Sequence, residues 1–195
     1  DSTILLLAPN STTPGSGSIQ ISLANGQTGF SFTAQGLEGI SSTTTVTITA
    51  VASGFTNGTV GASVDRPAVE LQGLGSSYTA GGADVNFYAQ VGVPNAQNTA
   101  LVRVQTVRAG APADAVVTFT SSTPTAATLV DSVGAGSPKP AVIAATGNFY
   151  YTPTGGPAQG GVAMRPLAVG TSTFSATIPG FLTMTSNGNR LVTIQ

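Results

Sequence analysis

Within the run Thr43–Ala52, hydroxyl and apolar side chains alternate without a break from Thr45 to Ala50. Val46, Ile48 and Ala50 fall on one side, Thr45, Thr47 and Thr49 on the other. A period of two belongs to an extended strand with one buried and one wet face, and a helix cannot use it. Asp84–Val93 repeats the pattern, setting Val85, Phe87, Ala89, Val91 and Val93 against Asp84, Asn86, Tyr88 and Gln90. No window places apolar residues at i, i+3, i+4 and i+7 over three turns, so helices are not expected. With 25 Gly and 12 Pro spread along the chain, the remaining β-branched runs are cut short. They read as strands at Ile4–Ala8, Ser18–Ala24, Phe30–Ala34, Thr59–Val64, Val69–Leu71, Ser77–Ala80, Leu101–Val107, Val116–Ser121, Thr128–Val130, Ala141–Ala145, Asn148–Tyr151, Ser172–Ile178 and Leu191–Ile194. Asn25-Gly26 suits a turn with positive φ, which predicts a hairpin between Ser18–Ala24 and Phe30–Ala34. The fold class is all-β and antiparallel.

An internal repeat organises these strands. Thr45–Phe55 reads TVTITAVASGF and Thr171–Phe181 reads TSTFSATIPGF. In register they share Thr, Thr, Ala, Gly and Phe, with Ile48 matching Phe174. Upstream, Thr28–Thr33 resembles Thr146–Thr152 with one insertion, and Gly-rich stretches follow at Gly36–Gly39 and Gly155–Gly161. Each copy closes with a Gly-containing turn and a last strand, Thr59–Val64 or Arg190–Ile194. Four matches in one order define a repeat. It is lopsided: residues 1–66 match only 123–195, and nothing in them corresponds to 67–122. The expected division is a partial module over 1–66, the back half of a repeat, and a complete module over 67–195.

The Thr-Val-Thr-Ile-Thr-Ala…Gly-Phe segment, followed by a terminal strand, resembles the end of bacterial Ig-like (BIG-type) tandem repeats, which commonly read GTxTITAxAxGF. Val116–Val130, VVTFTSSTPTAATLV, is similar to their middle, TxTSSNPxVATV. The resemblance implies tandem immunoglobulin-like β-sandwiches in surface, secreted or filamentous bacterial proteins, used as spacers, stalks or adhesive stems. The complete unit here is longer than the usual repeat, and Ala109–Asp114, Val133–Pro140 and Thr152–Gly161 are expected to hold the excess.

Composition bears on what such a chain can do. Charged residues make up 7% of it against 41% hydrophobic, a charge content far below the roughly 25% of ordinary domains. Core formation is therefore favoured over disorder, and little repulsion keeps like copies apart. Six Lys and Arg scattered against seven Asp and Glu form no basic stripe, so no nucleic-acid partner is expected. Arg103 and Arg108, the nearest thing to a basic pair, read as a solvated strand edge. No apolar run approaches the length of a membrane span, so no membrane insertion is expected. Asp1 stands where an initiator Met would, as in a processed chain or a piece of a longer one.

Chemistry-bearing residues are few. The chain has no Cys and no His, which removes disulfides, thiolate and imidazole metal sites and the usual nucleophile–base pairs. No enzymatic activity and no cofactor are expected. Asp1, Glu38, Asp65, Glu70, Asp84, Asp114 and Asp131 are isolated along the sequence. They read as surface or turn carboxylates, short of two meeting as a glycosidase-like pair or Asp65 and Glu70 joining loop carbonyls around calcium at the module junction. Lys139, the only lysine, lies between Pro138 and Pro140 and reads as an exposed loop residue. Asn10-Ser11-Thr12 and Asn57-Gly58-Thr59 are sequons in predicted turns, which makes Asn10 and Asn57 candidate glycosylation sites. In Phe149-Tyr150-Tyr151, alternation sends Phe149 and Tyr151 inward and Tyr150 outward, leaving Tyr150 as a candidate contact for a glycan or a protein.

Together these point to a structural or spacer module, extracellular or at the cell surface, whose partners are neighbouring copies or adjacent Ig-like repeats. The incomplete 1–66 unit is expected to leave an open strand edge and apolar face, inviting self-association by strand complementation. The rival reading is an adhesin or carbohydrate-binding module.

Overall fold

The structure, a computed structural model, describes residues 1–111 and 115–195. Its strands are β1 (Leu5–Ala8), β2 (Thr33–Gly36), β3 (Thr44–Ala50), β4 (Gly58–Val64), β5 (Ala68–Gln72), β6 (Ser77–Tyr78), β7 (Val85–Pro94), β8 (Leu101–Val104), β9 (Ala115–Ser121), β10 (Ala127–Val130), β11 (Ala135–Gly136), β12 (Lys139–Ile143), β13 (Val162–Pro166), β14 (Gly170–Thr177), β15 (Leu182–Thr183) and β16 (Asn189–Ile194). Among the described residues the only helical turn is a 3₁₀ turn at Pro157–Gln159. The all-β expectation holds. None of the described helices is long and apolar enough to cross a membrane.

Strands β5 to β16 build two sheets. One runs β11-β10-β13-β7-β5-β15, with β8 added alongside β7; the other runs β12-β9-β14-β16-β6. Pairing is antiparallel except where β15 joins β5 and β6 joins β16, so the sheets are mixed, and they curl towards a half-barrel. Their apolar faces meet in one core. Phe87 on β7 stands edge-on to Phe119 on β9, with centroids 5.2 Å apart, and to Phe174 on β14, 6.0 Å away. Edge-to-face geometry sets the positive rim of one ring against the negative face of another. The alternation read in β7 survives intact: Phe87, Ala89 and Val91 are buried and belong to this core, while Asn86 is exposed.

One edge of β7 is shared by three segments. β13 takes its start, the chain at Tyr150–Thr152 its middle and β8 its end. The Tyr150 carbonyl accepts from the Val91 amide at 2.8 Å, and the Thr152 amide donates to the Ala89 carbonyl at 2.9 Å. Gly92 permits the approach of β8, since a Cβ there would lie 2.1 Å from the Arg103 carbonyl oxygen.

Residues 1–66 form two separate ribbons, β1 with β2 and β3 with β4. They share a small core of Leu5, Val46 and Val64, with Ile4, Leu7, Ile40, Ile48 and Ala62 against it. The ribbons lean on the larger body: the Gly39 amide donates to the Gly180 carbonyl, and a Cβ on Gly147 (φ 80°) would collide with the Ser11 carbonyl.

Several boundaries differ from expectation. Ser18–Ala24 is not a strand. Asn25-Gly26 does turn, with the Gln27 amide donating to the Ala24 carbonyl, but no ladder grows from it. Leu23 and Phe30 stay half exposed, so nothing in the fold rewards pairing there. β2 instead begins at Thr33 and pairs with β1. Asn148–Tyr151 makes only a single bridge, Tyr151 to Gln90. Val162–Pro166, absent from the expected strands, lies in mid-sheet between β10 and β7, with Val162, Ala163 and Met164 fully buried. Covered on both faces, it needs no alternation and so shows none. Of the loops expected to hold the excess length, Val133–Pro140 carries β11 and the start of β12, and Thr152–Gly161 carries the 3₁₀ turn. Ala109–Asp114 falls partly outside the described residues, as does the Asp114 carboxylate.

The two ends of the chain differ in how much a ring contributes. Replacing fully buried Phe119 by Ala should cost about 3–5 kcal/mol in urea unfolding. Phe55→Ala, at a ring 78% exposed, should change stability by no more than about 0.5 kcal/mol. Equal costs would contradict this division of the core.

Candidate functional site

The closing hairpin of the repeat read in the sequence recurs as a pairing: β3 pairs with β4 as β14 pairs with β16. The registers agree residue by residue. Thr45 faces Ser63 and Val46 faces Ala62, as Thr171 faces Thr193 and Ser172 faces Val192. What differs is the surroundings. β14 has β9 on its second edge and the opposing sheet over its face, so Ser172, Phe174 and Ala176 are all buried. Among the described residues β3 pairs with β4 alone. Its inward face is buried at Val46, half-buried at Ile48 and exposed at Ala50. Across the ribbon the same fading runs from buried Val64 to Val60, which is 58% exposed. The expected open edge and apolar face are therefore present at the outer end of β3–β4, with Val51 and Phe55 bare beside them.

Between the ribbons and the body lies a cavity of about 260 Å³, lined by Leu5, Gln35, Val64, Val91 and two ion pairs. Arg108 reaches Glu38 at 3.0 Å, with both side chains largely buried, and its Nη1 donates to the Gly110 carbonyl. Arg103 and Asp65 meet at 3.5 Å, nearer solvent. Arg108 is thus no solvated edge residue. It holds the ribbons of residues 1–66 against the body, and Glu38, 70 residues away, is its counter-charge. Buried Gln35 closes the cavity on the ribbon side, accepting from the Gly15 amide and donating to the Thr13 carbonyl, each at 2.9 Å. With its charges already matched, the cavity presents no free ion to a ligand.

The other described acidic side chains are also engaged. Asp84 takes a two-pronged contact from Arg165, at 2.8 and 2.7 Å. Asp131 holds Lys139 at 2.9 Å and accepts from the Val133 and Gly134 amides. Glu70 is buried and accepts from Gln90 and Asn187 side chains at 2.8 and 2.6 Å. Asp1 accepts from Thr3. Asp65, besides Arg103, accepts from the Thr43 hydroxyl. Asp65 and Glu70 thus spend their oxygens on separate partners, and among the described residues no three acidic side chains gather. Lys139 corrects another expectation: it opens β12, with Pro140 inside the strand and Pro138 in the bend before it, and its side chain is largely buried against Asp131.

Tyr150 also reverses its expected direction. Its ring packs against the main core, whereas Phe149 is 44% exposed. The segment is held by its backbone to β7 and not by alternation within a long strand, so parity along the sequence does not set its faces. Tyr150 meets Tyr151 at 4.9 Å, and Tyr151 meets Tyr88 at 6.2 Å. The first sequon lies in an exposed connection, whereas Gly58 and Thr59 of the second already belong to the exposed start of β4. Asn10 accepts from Thr12 and Thr13 through its side-chain oxygen, and Asn57 immediately precedes β4. Gln35 and Glu70 were missed as buried polar residues, and only their partners, distant in sequence, mark them as such. Compared with known proteins, the chain matches no protein-family model and no curated protein sequence.

The hydrogen bond from Lys139 holds the Asp131 carboxyl below the usual carboxylate range, and the one from Arg165 does the same for Asp84. The unfolded chain then takes up protons at these positions more readily than the folded one. Their stabilisation is complete above about pH 5, beyond the ordinary aspartate value near 3.9. It fades as pH falls through the lowered native values. Asp131→Asn should lower the unfolding temperature at neutral pH and flatten its acid decline, read by thermal melts from pH 7 to 2. An unchanged acid limb would remove Asp131 from the account.

Proposed function

We propose that this chain is a structural or spacer module of an extracellular bacterial repeat protein or filament, built on tandem Ig-like sandwiches. Its work is mechanical. Antiparallel ladders resist extension along the chain, and the apolar faces of paired sheets close each unit. The observation that carries this reading is one strand pairing, β3 with β4 and β14 with β16, occurring twice in the same register, once enclosed and once open. A repeated unit that cannot bury its own face is stable only beside a neighbour. The engagement of charged side chains with one another favours the same reading, because little acid–base chemistry is left over. A surface this poor in charge also tolerates close contact between copies.

The unfinished unit gives the proposal its second part: neighbouring copies or adjacent repeats complete residues 1–66 by strand complementation. An adhesin or carbohydrate-binding role would draw on Tyr150, whose ring lies against the core, and it would be exposed by a glycan array on which the chain binds. For the spacer, light scattering should show association that grows with concentration. A stable monomer whose residues 1–66 are fully protected in hydrogen exchange would overturn the complementation part.

A further inference from the structure

β3 and its counterpart β14 differ in one neighbour, and that neighbour identifies what β3 lacks. In the enclosed copy β9 lies antiparallel along β14, pairing Phe174 with Ser121, Ser175 with Thr120, Ala176 with Phe119 and Thr177 with Thr118. The repeat places Ile48, Thr49, Ala50 and Val51 at the positions of Phe174, Ser175, Ala176 and Thr177. Two chemical features carry over. Ala176 is small where the bulky Phe119 lies opposite it, and the equivalent Ala50 is equally small and exposed. Ser175 shares a hydroxyl hydrogen bond with Thr120, and Thr49 offers the same group.

The edges themselves point the same way. Proteins protect sheet edges with brevity, Pro or charge. β6, β11 and β15 are two residues long, β12 carries Lys139 and Pro140, and β8 carries Arg103 beside a bulge. β3 reads TTVTITA over seven residues, without Pro, Gly or charge. Its ribbon partner β4, GTVGASV, is as long and also lacks Pro and charge, but it is broken by Gly58 and Gly61, so among the described long edges β3 is the one without Pro, Gly or charge.

We infer that the free edge of β3 is a strand-acceptor site. Its occupant is an extended, uncharged segment from another module of this kind, running antiparallel to β3. The segment brings a large apolar side chain opposite Ala50 and a hydroxyl opposite Thr49, as β9 does for β14. The added strand flanks Ile48, which the ribbon leaves half open. This inference rests on the complementation reading above and names its edge, register and partner.

The test uses the full chain and a synthetic peptide of residues 115–121. Hydrogen exchange at Ile48–Val51 should slow about tenfold or more in saturating peptide, with no comparable change in β14. A peptide carrying Phe119→Asp should lose this effect. So should Ala50→Glu in the chain, whose exposed position leaves the body's thermal transition in place. No protection of β3, protection of another strand instead, or equal binding by the Asp peptide would overturn the inference. If the chain associates by itself, β3 should be protected in the assembly and the Ala50→Glu chain should sediment as a monomer. An assembly whose β3 exchanges freely would also overturn it. A chain that is monomeric yet takes the peptide on β3 supports the acceptor site while refuting self-association.

Discussion

Phe87, Phe119 and Phe174 come from three strands in two sheets and meet edge to face in the middle of the molecule. Around this contact the rest of the body takes its place. β7, which carries Phe87, is long enough to receive β13, the Tyr150 segment and β8 along one edge and β5 along the other. β9 and β14, which carry the other two rings, pair directly with each other. Ring burial of this size dominates the stability of a core, and it fixes which face of each sheet turns inward. The Gly-rich connections can then vary in length without disturbing the pairing.

The ribbons at the start of the chain have no such contact. Leu5, Val46 and Val64 make a core too small to enclose the hairpin, and the outer half of β3–β4 is left as bare as its counterpart is buried. The same sequence pattern therefore yields two different states, according to whether a neighbouring strand and an opposing sheet are present. The Glu38–Arg108 pair and the Gly39–Gly180 backbone bond anchor the ribbons to the body. They hold the unit in place but cover none of its outer face.

Charge plays a local role. With so few ionic groups, nearly every described carboxylate is placed against a cation or an amide donor, which satisfies it in a low-charge environment. Arg108 and Lys139 both read as exposed in sequence, and both are largely buried. In each case the counter-charge approaches from a separate element, and a linear reading has no access to that.

The sequence by itself determined the period-two pattern of β3 and β7 and, through it, the inward direction of Val46, Phe87, Ala89 and Val91. These depend on neighbouring positions in one strand, where a period of two is decided locally. It missed β13 because a strand buried on both faces carries no alternation. It mistook the direction of Tyr150 because backbone bonds to β7, and not the run of aromatics, orient that segment. Tertiary structure alone decided the partners: which carboxylate meets which cation, and which ribbon is enclosed. Above all it showed that the outer edge of β3 stands open where that of β14 is filled. Pairing across a sheet joins residues far apart in sequence, so the missing neighbour could be suspected from the repeat but located only in the fold.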